Sequence, residues 1–376
     1  MKSAAPDFDR NLHCLLGLPF DAIGLEEAVA RIRMAIDKRT PYFVSTPNLN
    51  FLIAAQKNAA FRDSVIHSDL SLADGMPIVW LARLMGVPIP ERVAGSDVFE
   101  ALRYDTSGKR IKVYFFGAPP GIAERAAQRI NAEHLGMECV GFESPGYGSV
   151  QEMSSASSLE KINQSGADFL VVSLGAVKGQ AWIEHNLQAL DVPVVSHLGA
   201  VVNFIVGNVK RAPRWMQKTG LEWLWRIREE PELWRRYLND GRALLMLFLT
   251  AIPAGVVYKW RFAKKPSSAA KMDFKWSESA DGLHIQVLGH CVQENIAEFR
   301  SACAVWAACG KQHTIDTSKI LYVDAAFLAA LLLLNAHSQS HGRPLKFVST
   351  DGINDHSVRI RSALGLVNVF PRPLTV

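Results

Sequence analysis

Residues 71–83 read "SLADGMPIVWLAR". An apolar run, Leu70, Leu72 and Ala73, ends on the carboxylate of Asp74, and after Gly75 a helical run follows through Pro77, Ile78, Val79, Leu81 and Ala82. Strand, Asp-Gly turn and Pro-led helix in that order make the repeating unit of an open α/β sheet. Asp74 then has two readings. Its carboxylate caps the free N–H groups of the helix, or it is a catalytic base, since ligands of such sheets sit at the carboxyl ends of the strands.

The same alternation extends in both directions. Upstream, "YFVSTPN" (42–48) reads as a strand and "NFLIAAQKNAAFRDSVIHS" (50–68) as a helix. Downstream, strands are expected in "IKVYFFGAPPG" (111–121), "MECVGFESPGYG" (137–148), "ADFLVVSLGAVKG" (167–179) and "VPVVSHLGA" (192–200). Helices are expected between them, in "IAERAAQRINAEH" (122–134), "SSASSLEKINQSG" (154–166) and "AWIEHNLQAL" (181–190). Strands that are apolar throughout, separated by helices of ten or more residues, indicate a parallel sheet covered on both faces. The expectation for residues 1–207 is a doubly wound, Rossmann-like α/β domain.

A different composition begins near residue 208. Between 210 and 265 there are 13 basic and 5 acidic residues, an excess of eight that exceeds the net charge of +5 for the whole chain. Trp215, Trp223, Trp225, Trp234, Tyr237, Tyr258 and Trp260 are interleaved with them. Basic residues with Trp and Tyr suit a membrane headgroup region or a phosphate-bearing partner. Within this region "ALLMLFLTAIPAGVVY" (243–258) carries no charge. Sixteen helical residues reach about 24 Å, short of the roughly 30 Å hydrocarbon core, and Pro253 is expected to kink them. The segment reads as an interfacial or re-entrant anchor; a helix buried against another domain and a tilted crossing are the alternatives. The regions expected are thus a basic aromatic appendage at 208–242 and an apolar membrane-associating segment with a linker, "KKPSSAAK", ending at 271.

A second α/β unit is expected at 272–376. Its strands are "LHIQVLG" (283–289), "KILYVD" (319–324) and "PLKFVST" (344–350), and its helices "ENIAEFRSACAVWAACG" (294–310), "AAFLAALLLLNAHSQSHG" (325–342) and "HSVRIRSALGL" (356–366). The apolar run Phe327 to Leu334 is too short to span a bilayer and reads as a core helix.

Composition excludes several classes. Hydrophobic residues are 49% and charged residues 20%, which fits a globular chain rather than a disordered one. The five cysteines, Cys14, Cys139, Cys291, Cys303 and Cys309, form no CxxC pair, which suits free thiols in a reducing compartment. The first twenty residues lack a signal-peptide core, so a cytoplasmic setting is expected. No phosphate loop, ordered GxGxxG, HExxH or GxSxG motif is present. No metal and no cofactor are therefore expected. The basic stretch flanks an apolar run, which fits lipid better than nucleic acid.

What remains is a set of polar residues at strand ends: Thr46 and Asn48 in "TPN", Asp74 in "LADG", and Arg92, Gly95 and Asp97 in "ERVAGSD". The run "TPN … LADGMPIVWLARLMGVPIPERVAGSD" resembles the signature of the WecG/TagA/CpsF family, the N-acetylmannosaminyl-type transferases of glycosyltransferase family 26. "GNVKRAPRWMQKTGLEWLWRIREEPELWRRY" (207–237) is similar to that family's C-terminal appendage. The resemblance implies an inverting, metal-independent transfer of a sugar from a UDP-sugar to a polyprenyl-diphosphate-linked sugar, at the cytoplasmic face of the inner membrane, in exopolysaccharide or surface-glycan assembly. It implies Asp74 as base, Thr46 and Asn48 as sugar contacts, and Arg92 as a holder of charged or sugar groups. Gly95, Asp97, Lys178, Gly179 and Asn203 fall on its substrate-binding positions. Arg211, Arg214, Arg226, Arg235 and Arg236 are candidates for the diphosphates, against the alternative of a solvated basic face.

Two departures stand out. Where the family usually reads LGAPKQE-x-W, this chain reads "LGAVKGQAW" (174–182), with Gly179 and Gln180 at the Gln and Glu positions, and a family Asp is Asn203. They keep a second function open: a catalytically silent scaffold that binds sugar nucleotide or lipid diphosphate. The second unit resembles a STAS domain (sulfate transporter and anti-sigma factor antagonist) in "DTSKILYVDAAFLAALLLL" (316–334). Regulatory members carry a phosphorylated Ser after the Asp; Ala325 follows Asp324 here, so the resemblance implies docking of a protein partner, or packing on the transferase, without that switch.

Overall fold

The computed structural model describes residues 6–262, 271–349 and 374–375. It opens on a hairpin with no counterpart in the sequence reading: β1 (Leu12–Leu15) pairs antiparallel with β2 (Leu18–Asp21). The turn residues Leu16 and Gly17 have φ of 49° and 89°, the left-handed pair whose twist matches the strands it joins. Asp21, fully buried, binds Arg10 at 2.6 Å and accepts the Ser71 N–H at 2.7 Å, which ties the hairpin to the strand leading to Asp74.

The chain continues through α1 (Leu25–Asp37), β3 (Tyr42–Ser45), α2 (Leu49–Lys57), α3 (Ala59–Ile66), β4 (Leu70–Ser71), α4 (Met76–Met85) and α5 (Gly95–Tyr104). Then come β5 (Ile111–Gly117), α6 (Ile122–Glu133), β6 (Met137–Glu143), α7 (Ala156–Gln164), β7 (Phe169–Ser173), α8 (Ala176–Asn186), β8 (Val194–His197) and α9 (Val201–Val206). Strands β3 to β8 form one parallel sheet in the order β4-β3-β8-β7-β5-β6. Alternate residues of each strand feed opposite cores. Val44, Val113, Phe115 and Val171 face the side covered by α1, α5, α6 and α9, while Phe43, Tyr114, Phe116 and Leu170 face Ile162 of α7 and Trp182 of α8. Burial on both faces is why these strands read as continuous apolar runs.

The helix expected over 50–68 is two helices. Asn58, at φ −128° and ψ 104°, ends α2 and starts α3, its side chain accepting the Phe61 N–H at 3.0 Å. Asn competes for backbone groups in this way, so a strong cap inside a helical pattern divides it.

The basic region forms α10 (Arg214–Lys218), α11 (Glu222–Glu229), α12 (Trp234–Leu249) and α13 (Ala251–Phe262). The break in the uncharged stretch falls at Thr250, and Pro253 stands in the first turn of α13, where proline is tolerated, rather than at a kink. Leu244, Leu247 and Ile252 pack into the cluster formed by α2, α4 and the hairpin. Leu238, Leu245, Met246, Phe248, Leu249, Val257 and Trp260 face outward, each at least two-fifths exposed. Among the described residues no helix is long and apolar enough to cross a membrane.

The second unit holds β9 (Asp273–Ser279), β10 (Gly282–Cys291), α14 (Ala297–Cys309), β11 (His313–Val323), α15 (Ala325–Ser340), β12 (Lys346–Ser349) and β13 (Leu374–Thr375). Its sheet has the order β13-β12-β11-β10-β9, parallel except for β9, an antiparallel edge strand absent from the sequence reading. The helix expected at 356–366 and residues 264–270 of the linker lie outside the described residues. Helix α15 is apolar around its circumference because it is buried around its circumference. One side covers its own sheet, and Phe8, Leu12, Cys14 and Ile66 of the first unit join the same core. Arg300, buried, donates to the Leu12 carbonyl at 3.4 Å across this contact.

Candidate active site

Asp74 does not cap α4. The N-cap is Gly75, at φ 102°, a conformation that favours glycine, and no side chain caps the helix. The backbone around Asp74 is instead clamped to two neighbours. Its N–H donates to the Pro47 carbonyl at 3.0 Å, and the Ala73 carbonyl accepts from Val93 at 2.9 Å. Those bonds bring the ends of β3 and β4 and the start of α5 to one point, at the carboxyl edge of the sheet.

Thr46, Asn48, Arg92, Gly95 and Asp97 therefore meet around Asp74. A Cβ on Gly95 would lie 2.5 Å from Leu198 Cδ2 and 3.1 Å from Thr46 Oγ1, so a larger residue there would push the Leu198 side chain aside and press on Thr46. The Gly95 N–H donates to the Asp74 carboxylate. Asn48 caps α2 through Oδ1, which accepts the Phe51 N–H at 3.1 Å and leaves the amide Nδ2 as the group it offers a ligand. Arg92 donates to Asp97 at 2.6 Å and reaches Gln217 and Glu222 of the appendage at 3.0 and 3.5 Å. Asp97 also pairs with Arg211, which holds Glu100 as well. The appendage is thus docked on the core by charge across the site.

Burial raises the carboxyl of Asp74 most, the nearby charge of Glu222 adds to it, Arg92 opposes, Asp97 adds again and the Gly95 N–H opposes, leaving it pushed up to about 7. A carboxylate there ionises in the range where a general base is most effective. Glu222, with Gln217, was not singled out from the sequence: it sits in a charge-rich helix 148 positions away, and only the docking of α11 brings it to Asp74.

The remaining candidates separate. Lys178 donates from its ammonium to the Gly148 carbonyl at 2.8 Å. Gly179 lies against the ring of His197. Asn203 is half-buried on α9 and no side-chain hydrogen bond holds it among the described residues. Arg211 and Arg226 both sit over the Phe204 ring, at 5.9 and 5.3 Å, and Arg226 pairs with Glu230 at 2.6 Å. Arg214, Arg235 and Arg236 are exposed, the last two lying over Trp234 and Tyr237. No cluster of three or more His, Cys, Asp or Glu suited to a metal is found among the described residues.

Residues 13–255 match the profile of the glycosyl transferase WecG/TagA/CpsF family, and residues 274–366 match a profile described as Mlab, STAS domain. Two curated proteins, each called N-acetylglucosaminyldiphosphoundecaprenol N-acetyl-beta-D-mannosaminyltransferase, are similar to the first unit. The one from Bacillus subtilis is 31% identical over 205 residues, 54% of this chain and 78% of the relative. The one from Bacillus spizizenii is 29% identical over 204 residues, 54% of this chain and 77% of the relative.

Proposed function

The chain belongs to the WecG/TagA/CpsF family of glycosyl transferases, and from that premise we propose that it inverts a sugar of the N-acetylmannosamine type from a UDP-sugar onto a polyprenyl-diphosphate-linked sugar, without a metal. The relatives' names supply the acceptor class, an N-acetylglucosaminyl diphospholipid. The observation that carries the reading is Asp74, partly buried, raised to about 7, and set among Thr46, Asn48 and Arg92.

In this reading the acceptor hydroxyl gives its proton to Asp74 as it attacks the anomeric carbon, and UDP leaves from the opposite face. Thr46 and the Asn48 amide hold the sugar. Arg92, kept in place by Asp97 and Gln217, faces the developing charge. Arg211 and Arg226 brace the appendage through their ion pairs, so the exposed Arg214, Arg235 and Arg236 are left for the lipid diphosphate. Lys178, Gly179 and Asn203 stay as proposed donor-side positions. Incubation with UDP-N-acetylmannosamine should release UDP only when an N-acetylglucosaminyl diphospholipid is present; release that ignores the acceptor would count against the reading.

The pH profile tests the electrostatics. The base acts ionised, so kcat/KM should rise with pH through about 7. Glu222→Gln removes a negative neighbour, makes ionisation of Asp74 easier and moves that acidic limb to lower pH. A limb that stays in place would separate Glu222 from the site.

We also place the protein on the cytoplasmic face of the inner membrane as a peripheral or monotopic enzyme. Leu245, Met246 and Leu249 are 58%, 59% and 67% exposed on one side of α12, beside Arg235, Arg236 and Arg242. Apolar residues edged by arginine suit an anionic lipid surface. Replacing the three by Ser should weaken binding to phosphatidylglycerol vesicles by about tenfold or more, taking a partial loss of burial for each side chain; unchanged binding would rule this face out. A protein partner of the STAS-like unit has to use a surface other than α15, which the hairpin already covers.

A further inference from the structure

The glycine at 179 has a physical counterpart on the neighbouring strand. Strand β8 ends on His197, 8% exposed. A Cβ built on Gly179 falls 2.2 Å from His197 Cδ2 and 3.0 Å from both Cγ and Nε2. The imidazole therefore fills the space into which a larger residue at 179 would send its side chain. Nε2 lies 2.6 Å from the Leu174 carbonyl, an acceptor only, so Nε2 carries the proton. Burial lowers the ring's affinity for a second proton, which leaves Nδ1 a bare acceptor. It has no hydrogen-bond partner among the described residues.

The strand end that carries the ring borders the cleft. Leu198, the next residue, meets Thr46 over Gly95. Phe51, whose N–H is capped by Asn48, has its ring 6.1 Å from that of His197. One residue beyond Gly179, the fully buried Gln180 donates to Ser45 Oγ at 2.9 Å while its Oε1 finds no donor. Each of these acceptors can take a hydrogen bond from a hydroxyl group. The strand order β4-β3-β8 puts His197 two strands from Asp74, roughly 10 Å at the spacing of a sheet. A sugar nucleotide reacting at Asp74 spans that distance, whereas the appendage stands over the Asp74 and Arg92 side.

We propose that His197, whose ring takes the place beside Gly179, positions the donor, its Nδ1 accepting a hydrogen bond from a hydroxyl of the sugar nucleotide on the ring edge turned away from Gly179. This rests on the transferase reading, and the test separates the two by measuring binding as well as turnover. His197→Phe keeps a ring of similar size without Nδ1. UDP-sugar affinity by titration calorimetry should fall about tenfold, the worth of one hydrogen bond, and the donor KM should rise to match while kcat and the acceptor KM hold. His197→Asn, which retains an acceptor, should keep part of the affinity. Gly179→Gln should clash with the ring, and Gly179→Gln with His197→Gly should recover what either change alone loses. Wild-type affinity in a folded His197→Phe would reduce the ring to a filler and overturn the proposal. Tight UDP-sugar binding without turnover in the wild type would instead sink the transferase reading and leave the binding result to decide on His197.

Discussion

Asp74→Asn should lower acceptor-dependent transfer by about 10²- to 10⁴-fold, the range a positioned general base supplies, while the protein becomes more stable at neutral pH. The second effect follows from linkage. The carboxyl is raised from 3.8 to about 7 in the folded chain, so folding favours the protonated form and ionisation costs stability. That cost is absent below about 3.8, grows between there and about 7, and is complete above. It is at most about 4 kcal/mol for three pH units, and less because Asp74 is partly exposed. Thermal melts should therefore show the variant ahead of the wild type at about pH 8 and level with it below about pH 4. A variant that lost activity and stability together at about pH 8 would point to a structural carboxylate rather than a base.

Leu12→Asp should unfold the chain as a whole. Leu12 is 2% exposed and belongs to the core built around α15, although it lies in the hairpin at the other end of the sequence. A carboxylate there is set among apolar core side chains, and even with Arg300 on the Leu12 carbonyl, taking it out of water adds to the roughly 2–5 kcal/mol lost with the leucine side chain. Through Arg10 and Asp21 the same hairpin holds β4 in place below Asp74. Loss of the contact should then disturb both units, seen as a single lowered transition in calorimetry with activity lost along it. A first transition confined to the STAS-like unit, with transfer intact, would show that this unit merely rests on the transferase.

The sequence carries the sheet legibly because its strands are buried on both sides. Phe115 and Phe116 feed opposite cores, and no other environment needs two adjacent aromatics in a strand. The hairpin was not legible: its four-residue strands are too short for a period, and the turn uses Leu16 rather than Asn or Asp before Gly17. Nor was the role of α15. An apolar run says that a helix is buried, but Leu328 to Leu334 do not say that Leu12 and Ile66 of the first unit are among the residues that bury them. In the site, Thr46, Asn48, Asp74 and Arg92 stand in one motif and could be named together. Gln217, Glu222 and His197 depend on which helix docks on which strand, and a charged or aromatic residue in a mixed stretch gives no sign of it. Gly179 was the one visible trace of His197, as a side chain missing where similar sequences have one.

The central claim is that this chain transfers a sugar to a lipid diphosphate with Asp74 as base. Its most direct test is the mass of the acceptor lipid after incubation with UDP-N-acetylmannosamine. The account predicts a gain of one N-acetylhexosamine with wild type and none above background with Asp74→Asn. An unchanged lipid across a panel of UDP-sugars, with the donor bound and intact, would contradict it and make the protein a scaffold that keeps the cleft without the reaction.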